Sequence, residues 1–217
     1  MSLPQSDRVQ ARQMMQWSPD LEERLAVYAD LLTRWQSMIN LVAPSTLGSI
    51  WVRHIADSMQ VGNLLPEARI WLDLGSGAGF PGLVTAIGLV GHAGALVHLV
   101  ESDKRKCAFL REVSRETGAT TEIHAARIEA VVPALPGLID AISARALAAL
   151  PILMRYSEAF LLKGAKAAFM KGQFVADELT RLATDRRFAF ELVQSKTEAN
   201  GRIVMVRSIT QAERREP

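Results

Sequence analysis

The sequence predicts an α/β fold: a doubly wound, mainly parallel sheet of seven strands that ends in an antiparallel hairpin and is preceded by an N-terminal helical extension. Three observations carry this. After Pro66, short β-rich apolar runs alternate with amphipathic stretches. Connections of that length join parallel strands by way of a helix packed on the sheet. The last two runs are joined instead by a turn around Asn200-Gly201, the signature of a hairpin.

The extension comes first. Apolar residues at Leu21, Leu25, Tyr28, Leu32, Trp35 and Ile39 fall in steps of four and three, which builds one apolar stripe on a helix. A second helical stretch follows the polar turn Pro44 to Thr46, with Trp51, Ile55 and Met59 at helical spacing, and Pro66 closes the connection. Residues 1–66 therefore read as the extension and 67–217 as the main domain. Within the latter, strands are expected at Ile70 to Leu74, Leu96 to Glu101, Glu122 to Ala125, Ile139 to Ser143, Ala167 to Lys171, Phe188 to Gln194 and Ile203 to Arg207. Helices fill the first five gaps, starting near Pro81, Asp103, Ile128, Leu147 and Val175. The chain has no internal repeat and no low-complexity tract.

A chain of 217 residues accommodates one α/β domain and an extension, not two full-sized enzyme domains. With 49% hydrophobic and 22% charged residues it can bury a large core. A net charge of +2 is far from that of a protein that grips nucleic acid by electrostatics alone, so any such contact needs a local patch. The single cysteine, Cys107, excludes an internal disulfide and a cysteine-cluster metal site; no metal is expected. The first ten residues lack the apolar stretch of a signal peptide, and no run of about 18 apolar residues is present. A soluble, cytoplasmic protein is expected.

The stretch from Trp71 to Gly82 runs from an apolar strand into Gly75, Gly77 and Gly79, and then into a helix opened by Pro81. Glycines let a backbone turn sharply and approach a ligand, and the switch point of a doubly wound sheet lies at such strand ends. The spacing selects the ligand. A dinucleotide fingerprint needs glycine where Phe80 stands, whereas an acidic residue, Asp73, two before GxGxG suits S-adenosylmethionine. Asp73 then anchors the loop or the ammonium of the methyl donor. Glu101, at the end of the next strand, is placed to accept both ribose hydroxyls. Five βα units closed by a hairpin are also the order of the Rossmann-like class I S-adenosylmethionine-dependent methyltransferase fold. These residues leave open an RNA, small-molecule or protein acceptor, a nicotinamide oxidoreductase, and a non-catalytic donor-binding assembly factor.

The chain resembles the RsmG family, the bacterial 16S ribosomal RNA guanine-N7 methyltransferases once called glucose-inhibited division protein B. The likeness rests on several short motifs in order: Asn40-Leu41, the segment Arg53-His54 to Asp57-Ser58, the Asp73 to Gly82 loop, and Lys104-Arg105-Lys106 to Phe109-Leu110. It continues through Arg127-Ile128-Glu129, the Ser143 to Ala146 segment and Lys171-Gly172-Gln173. The resemblance implies donor contacts at Gly75, Phe80, Ile128, Glu129 and Arg145. It also implies one target guanine near the decoding site. Two departures stand out: Glu101 replaces an aspartate, an equivalent carboxylate, and Val42 replaces a threonine at a position touching no expected donor contact.

Guanine N7 carries an unprotonated lone pair, so its methylation requires no catalytic base and relies on alignment and electrostatics. Arg145 is the expected catalytic residue and its alanine variant should lose activity while keeping the fold. Cys107 reads as a packing residue. The RNA candidates are Arg53, His54 and Lys171 around the pocket mouth and Lys104 and Arg105 on a basic helix face that also carries Lys106, Arg111 and Arg115. The expected partner is 16S RNA or the small ribosomal subunit, with no membrane and with the protein acting as a monomer.

Overall fold

The computed structural model describes residues 5–135, 137–180, 182 and 185–209. The extreme ends of the two expected units, 1–4 and 210–217, lie outside the described residues. Helix α1 (Gln5–Met15) precedes α2 (Pro19–Gln36), whose start is set by Pro19 and by Ser18, which accepts a hydrogen bond from the Leu21 amide. The expected stripe faces inward: Leu25, Tyr28 and Leu32 are fully buried, and Ile39 is buried just beyond the helix end.

A 3₁₀ turn (Pro44–Ser49) leads to a π-helical turn (Trp51–Ala56) and then α3 (Asp57–Leu64). The start of the π turn is held from outside. Asp7 of α1, itself buried, accepts hydrogen bonds from the amides of Trp51 (2.8 Å) and Val52 (3.3 Å). A carboxylate brought from another helix thus satisfies two of the free N–H groups that a helix start leaves open.

The strands are β1 (Ile70–Leu74), β2 (Leu96–Val100), β3 (Thr121–His124), β4 (Ala141–Arg145), β5 (Lys166–Lys171), β6 (Phe188–Gln194) and β7 (Arg202–Ser208). They form one sheet in the order β3-β2-β1-β4-β5-β7-β6, with β7 antiparallel to both neighbours. The remaining helices are α4 (Gly82–Gly88), α5 (Lys104–Thr117), α6 (Ile128–Val131), α7 (Leu150–Leu161) and α8 (Val175–Thr180). The fourth strand lies two residues later than the sequence suggests. Asp140, expected inside it, instead caps the start of β1 by accepting from the Arg69 and Ile70 amides. Arg145 is therefore the last residue of the strand.

Alternate strand residues supply two apolar cores. Trp71, Val97 and Leu99 pack with Phe109, α3, α4 and the buried stripe of α2. Leu72, Leu74, Val100 and Ile142 pack with Leu150, Leu153 and Leu161 of α7 on the opposite face. The N-terminal helices thus serve as part of one covering layer. Strand order reverses between β1 and β4, so a crevice opens at their carboxyl ends. Among the described residues, no helix is long and apolar enough to cross a membrane.

Candidate active site

The glycine loop after β1 is tied down on several sides. Gly75 adopts φ +66°, and a Cβ there would lie 2.6 Å from Leu147 Cδ1, so only glycine fits. The Ser76 amide donates to the Val100 carbonyl (2.9 Å), and the Gly77 amide to Glu101 Oε2 (2.9 Å). From the far side, the buried Tyr28 hydroxyl of α2 donates to the Ala78 carbonyl at 2.6 Å.

Of the loop residues, Asp73 takes the first of its two expected roles, anchoring the loop, and Gly79 does not reach the ligand space. Asp73 is fully buried beneath the loop, where Oδ1 accepts from the Ser143 hydroxyl (2.6 Å) and joins β1 to β4. Burial pushes its carboxyl up to about 6, against the lowering effect of that hydrogen bond. It anchors the loop and does not line the cavity. Gly79 also turns away; a Cβ there would strike Leu83 at 2.6 Å, so this glycine serves close packing of α4.

The cavity over the loop has a volume of about 580 Å³, within the usual range for small-molecule sites. Gly75, Gly77 and Phe80 form its floor, Glu101 and Lys106 one wall, Ile128 and Glu129 another, and Arg145 its inner end. Glu101 also accepts from the Asp103 amide (2.7 Å). A carboxylate has about four acceptor directions, so positions are left for two hydroxyls. Glu129 accepts a hydrogen bond from the Tyr156 hydroxyl, which lowers its pKa. Cys107 is buried with Sγ donating to the Glu101 carbonyl (3.1 Å), and burial raises its thiol, so it supplies no nucleophile.

Arg145 joins two spaces. It lines the first cavity and also a neighbouring cleft of about 450 Å³ that holds Asp57, Lys171, Gln173 and Arg202. Its Nη2 donates to the Arg53 carbonyl (3.2 Å) and lies 3.8 Å from Asp57 Oδ2; its Cζ sits 5.8 Å from the centre of the Phe80 ring. Its Nη1 is buried without a hydrogen-bond partner, a costly state for a guanidinium and one that a ligand acceptor would relieve. Asp57 is held in turn by Ser195 and Gln60.

The five RNA candidates scatter. His54 is largely buried and lines the first cavity: its ring stacks on Phe80 (5.0 Å, 24°) and Nε2 meets Thr46 Oγ1 at 2.8 Å. Burial lowers its pKa to about 3, with Arg145 and Arg53 adding repulsion, so it is neutral. Lys171 donates to the Ala148 carbonyl and pairs with Glu178 (2.9 Å). Arg53 is exposed and 3.6 Å from Glu198, while Lys104 and Arg105 are exposed at the start of α5. Of the rest of that basic face, Lys106 reaches the cavity and Arg115 pairs with Glu116.

Sequence reasoning missed the anchoring role of Tyr28 and the walls made by Leu41, Val42, Leu147 and Tyr156. Val42, expected to stand clear of the donor site, lines the cavity; the turn after α2 folds over the loop because Gln36 ties down the Leu41 and Val42 amides. Such long-range placement leaves no local signal in the sequence.

Comparison with known proteins gives a consistent picture. The family model described as rRNA small subunit methyltransferase G matches residues 21–207. A protein named ribosomal RNA small subunit methyltransferase G from Methylorubrum populi is 47% identical over 196 residues, covering 90% of this chain and 92% of that protein. One of the same name from a Bradyrhizobium strain is 45% identical over 201 residues, covering 93% of this chain and 90% of its own. Among solved structures, a putative O-methyltransferase from Klebsiella pneumoniae shares the fold with a TM-score of 0.64 at 13% identity, over 94% of this chain and 96% of that one.

Proposed function

The chain belongs to the rRNA small subunit methyltransferase G family, whose methyl donor is S-adenosylmethionine, and from that premise we propose that it methylates N7 of one guanine near the decoding site of bacterial 16S RNA. The observation that carries the reading is Arg145, which stands between the two spaces with one buried donor group unsatisfied.

The first cavity suits the donor. The loop at Gly75 and Gly77 would take its amino-acid end, Glu101 its ribose hydroxyls, and Ile128 with Glu129 its base. When bound, the donor would supply a sulfonium methyl for in-line transfer to the acceptor, with the thioether as leaving group. Phe80 floors this space, held rigid between Tyr28 (5.3 Å) and His54. The guanine would enter from the cleft beside Asp57 and Lys171.

Guanine presents two acceptors, O6 and N7, on one edge. Arg145 Nη1 donating to O6 would distinguish guanine from adenine, which carries an amino group there, and would leave the N7 lone pair free to attack. No base is needed, and two candidates are otherwise engaged: the neutral His54 is packed against Phe80, and Cys107 is hydrogen-bonded under Glu101. The positive charge that leaves sulfur appears on the purine, and Asp57 in the same cleft would offset it. Rate enhancement then comes from alignment and fixed charges. Exposed Arg53, Lys104 and Arg105 would meet phosphates of the RNA. The protein would act where ribosomes are, in the cytoplasm, and as a monomer.

The test is to incubate the protein with radiolabelled S-adenosylmethionine and 30S subunits from a strain lacking its own enzyme of this family, then digest the RNA. Label in 7-methylguanosine at one site is the expected result. Label in another nucleoside would overturn the N7 assignment.

A further inference from the structure

Away from both spaces, the edge of the sheet brings three metal-ligating side chains together. Glu122 and His124 are two apart on β3 and therefore share a face. The parallel register sets His98 of β2 beside Glu122, and Val100 beside His124. His98 Nδ1 lies 3.0 Å from His124 Nε2 and 3.4 Å from Glu122 Oε2, and His124 Nε2 lies 3.8 Å from Glu122 Oε1. One ligand atom from each residue lies within 4.8 Å of the other two. His98 is buried, His124 half-buried and Glu122 exposed, so the cluster is closed on the protein side and open to water on the other.

These spacings bracket those of atoms that share one ion. Ligands about 2.0–2.2 Å from a common tetrahedral zinc stand roughly 3.3–3.6 Å apart. Two imidazoles and one carboxylate suit zinc and its transition-metal neighbours, whereas magnesium and calcium select oxygen ligands. The alternative is a hydrogen-bonded histidine pair, which uses one N–H and leaves Glu122 beside both rings without a necessary role. None of the three residues lines either space described above.

We propose that His98, Glu122 and His124 form a site for one zinc-like divalent cation, completed by water, that clips β2 to β3. The two strands run directly into Glu101 and into the Ala126 to Glu129 segment, and the Glu101 amide already donates to the His124 carbonyl (3.1 Å). A cation there fixes two strand ends that wall the first cavity. Because it binds the folded chain, it also raises thermal stability by linkage.

The experiment titrates zinc into chelator-treated, full-length protein without a histidine tag, in competition with a chromophoric chelator, and follows thermal unfolding in parallel. One equivalent should bind and raise the melting temperature, with no response to magnesium. Glu122→Gln, at an exposed position that threatens no core packing, should weaken zinc by at least about tenfold, as should His124→Asn. Long-range proton–nitrogen spectra should show zinc moving the ring nitrogens of His98 and His124 while those of His54 and His92 stay in place. Equal zinc affinity in the wild type and Glu122→Gln, or shifts at other histidines instead, would leave only a hydrogen-bonded pair and overturn the proposal.

Discussion

Removing one oxygen atom from Tyr28 tests how the N-terminal helices serve the site. The hydroxyl reaches from α2 to the Ala78 carbonyl at 2.6 Å, and the ring packs 5.3 Å from Phe80 and 6.2 Å from Phe109. Tyr28→Phe keeps those ring contacts and creates no cavity, so the change isolates the hydrogen bond. Such a bond contributes about 0.5–1.5 kcal/mol net, and up to about 3 when the abandoned partner stays dry. The bond and Ala78 are both buried, so the loss lies at about 1 kcal/mol or above. A loss near 1 kcal/mol lowers the melting temperature of a chain this size by roughly 2–4 °C. The loosened loop must then be ordered by the ligand, which weakens S-adenosylhomocysteine by up to the same amount, about fivefold. Circular dichroism melts and isothermal titration read both quantities. A variant with unchanged melting temperature and unchanged affinity would refute the idea that α2 holds the loop.

Two further perturbations probe the ground beneath the loop. Asp73 has a folded pKa raised from 3.8 to about 6, so its folded state binds a proton more readily than the unfolded chain does. Its contribution is therefore fully present below about pH 4 and is lost as pH rises through about 6, a swing on the order of 3 kcal/mol. Denaturant titrations across that range should show the wild type falling relative to Asp73→Asn, and parallel curves would contradict the assignment. Gly82→Ala places a Cβ 2.5 Å from both Asp73 Oδ2 and Leu99 Cδ2. Overpacking there should cost about 1–3 kcal/mol, and a thermal melt superimposable on the wild type would show the site to be looser than described.

The sheet was legible because most of its parallel strands, β3 (Thr-Glu-Ile-His) excepted, are apolar runs, and β1 and β6 begin and end where the pattern says. Boundaries failed where one side chain took an unforeseen partner: Asp140 left β4 to cap β1, and Asp7 docked α1, a helix with only Asp7 and Ala11 buried and so no stripe to read. The glycine loop was legible because positive φ at Gly75, Gly77 and Gly79 demands that residue. Its spacing does not say which glycine faces the ligand, and Gly79 turned out to face Leu83. Likewise Glu101 is at the cavity as expected, yet half of its capacity is used by the Gly77 and Asp103 amides. Cross-strand neighbours such as His98 and Glu122 were invisible, because register is a property of the paired sheet and not of either strand.

The central claim is that Arg145 stands between a donor and a guanine and acts on the guanine. Steady-state methylation of 30S subunits by Arg145→Ala, measured beside its affinity for S-adenosylhomocysteine, tests this most directly. The account predicts a folded protein whose donor-product affinity changes by less than about tenfold. Its turnover should fall by about 100-fold or more, because the guanine is no longer aligned. Turnover close to that of the wild type would contradict it and would remove Arg145 from the chemistry.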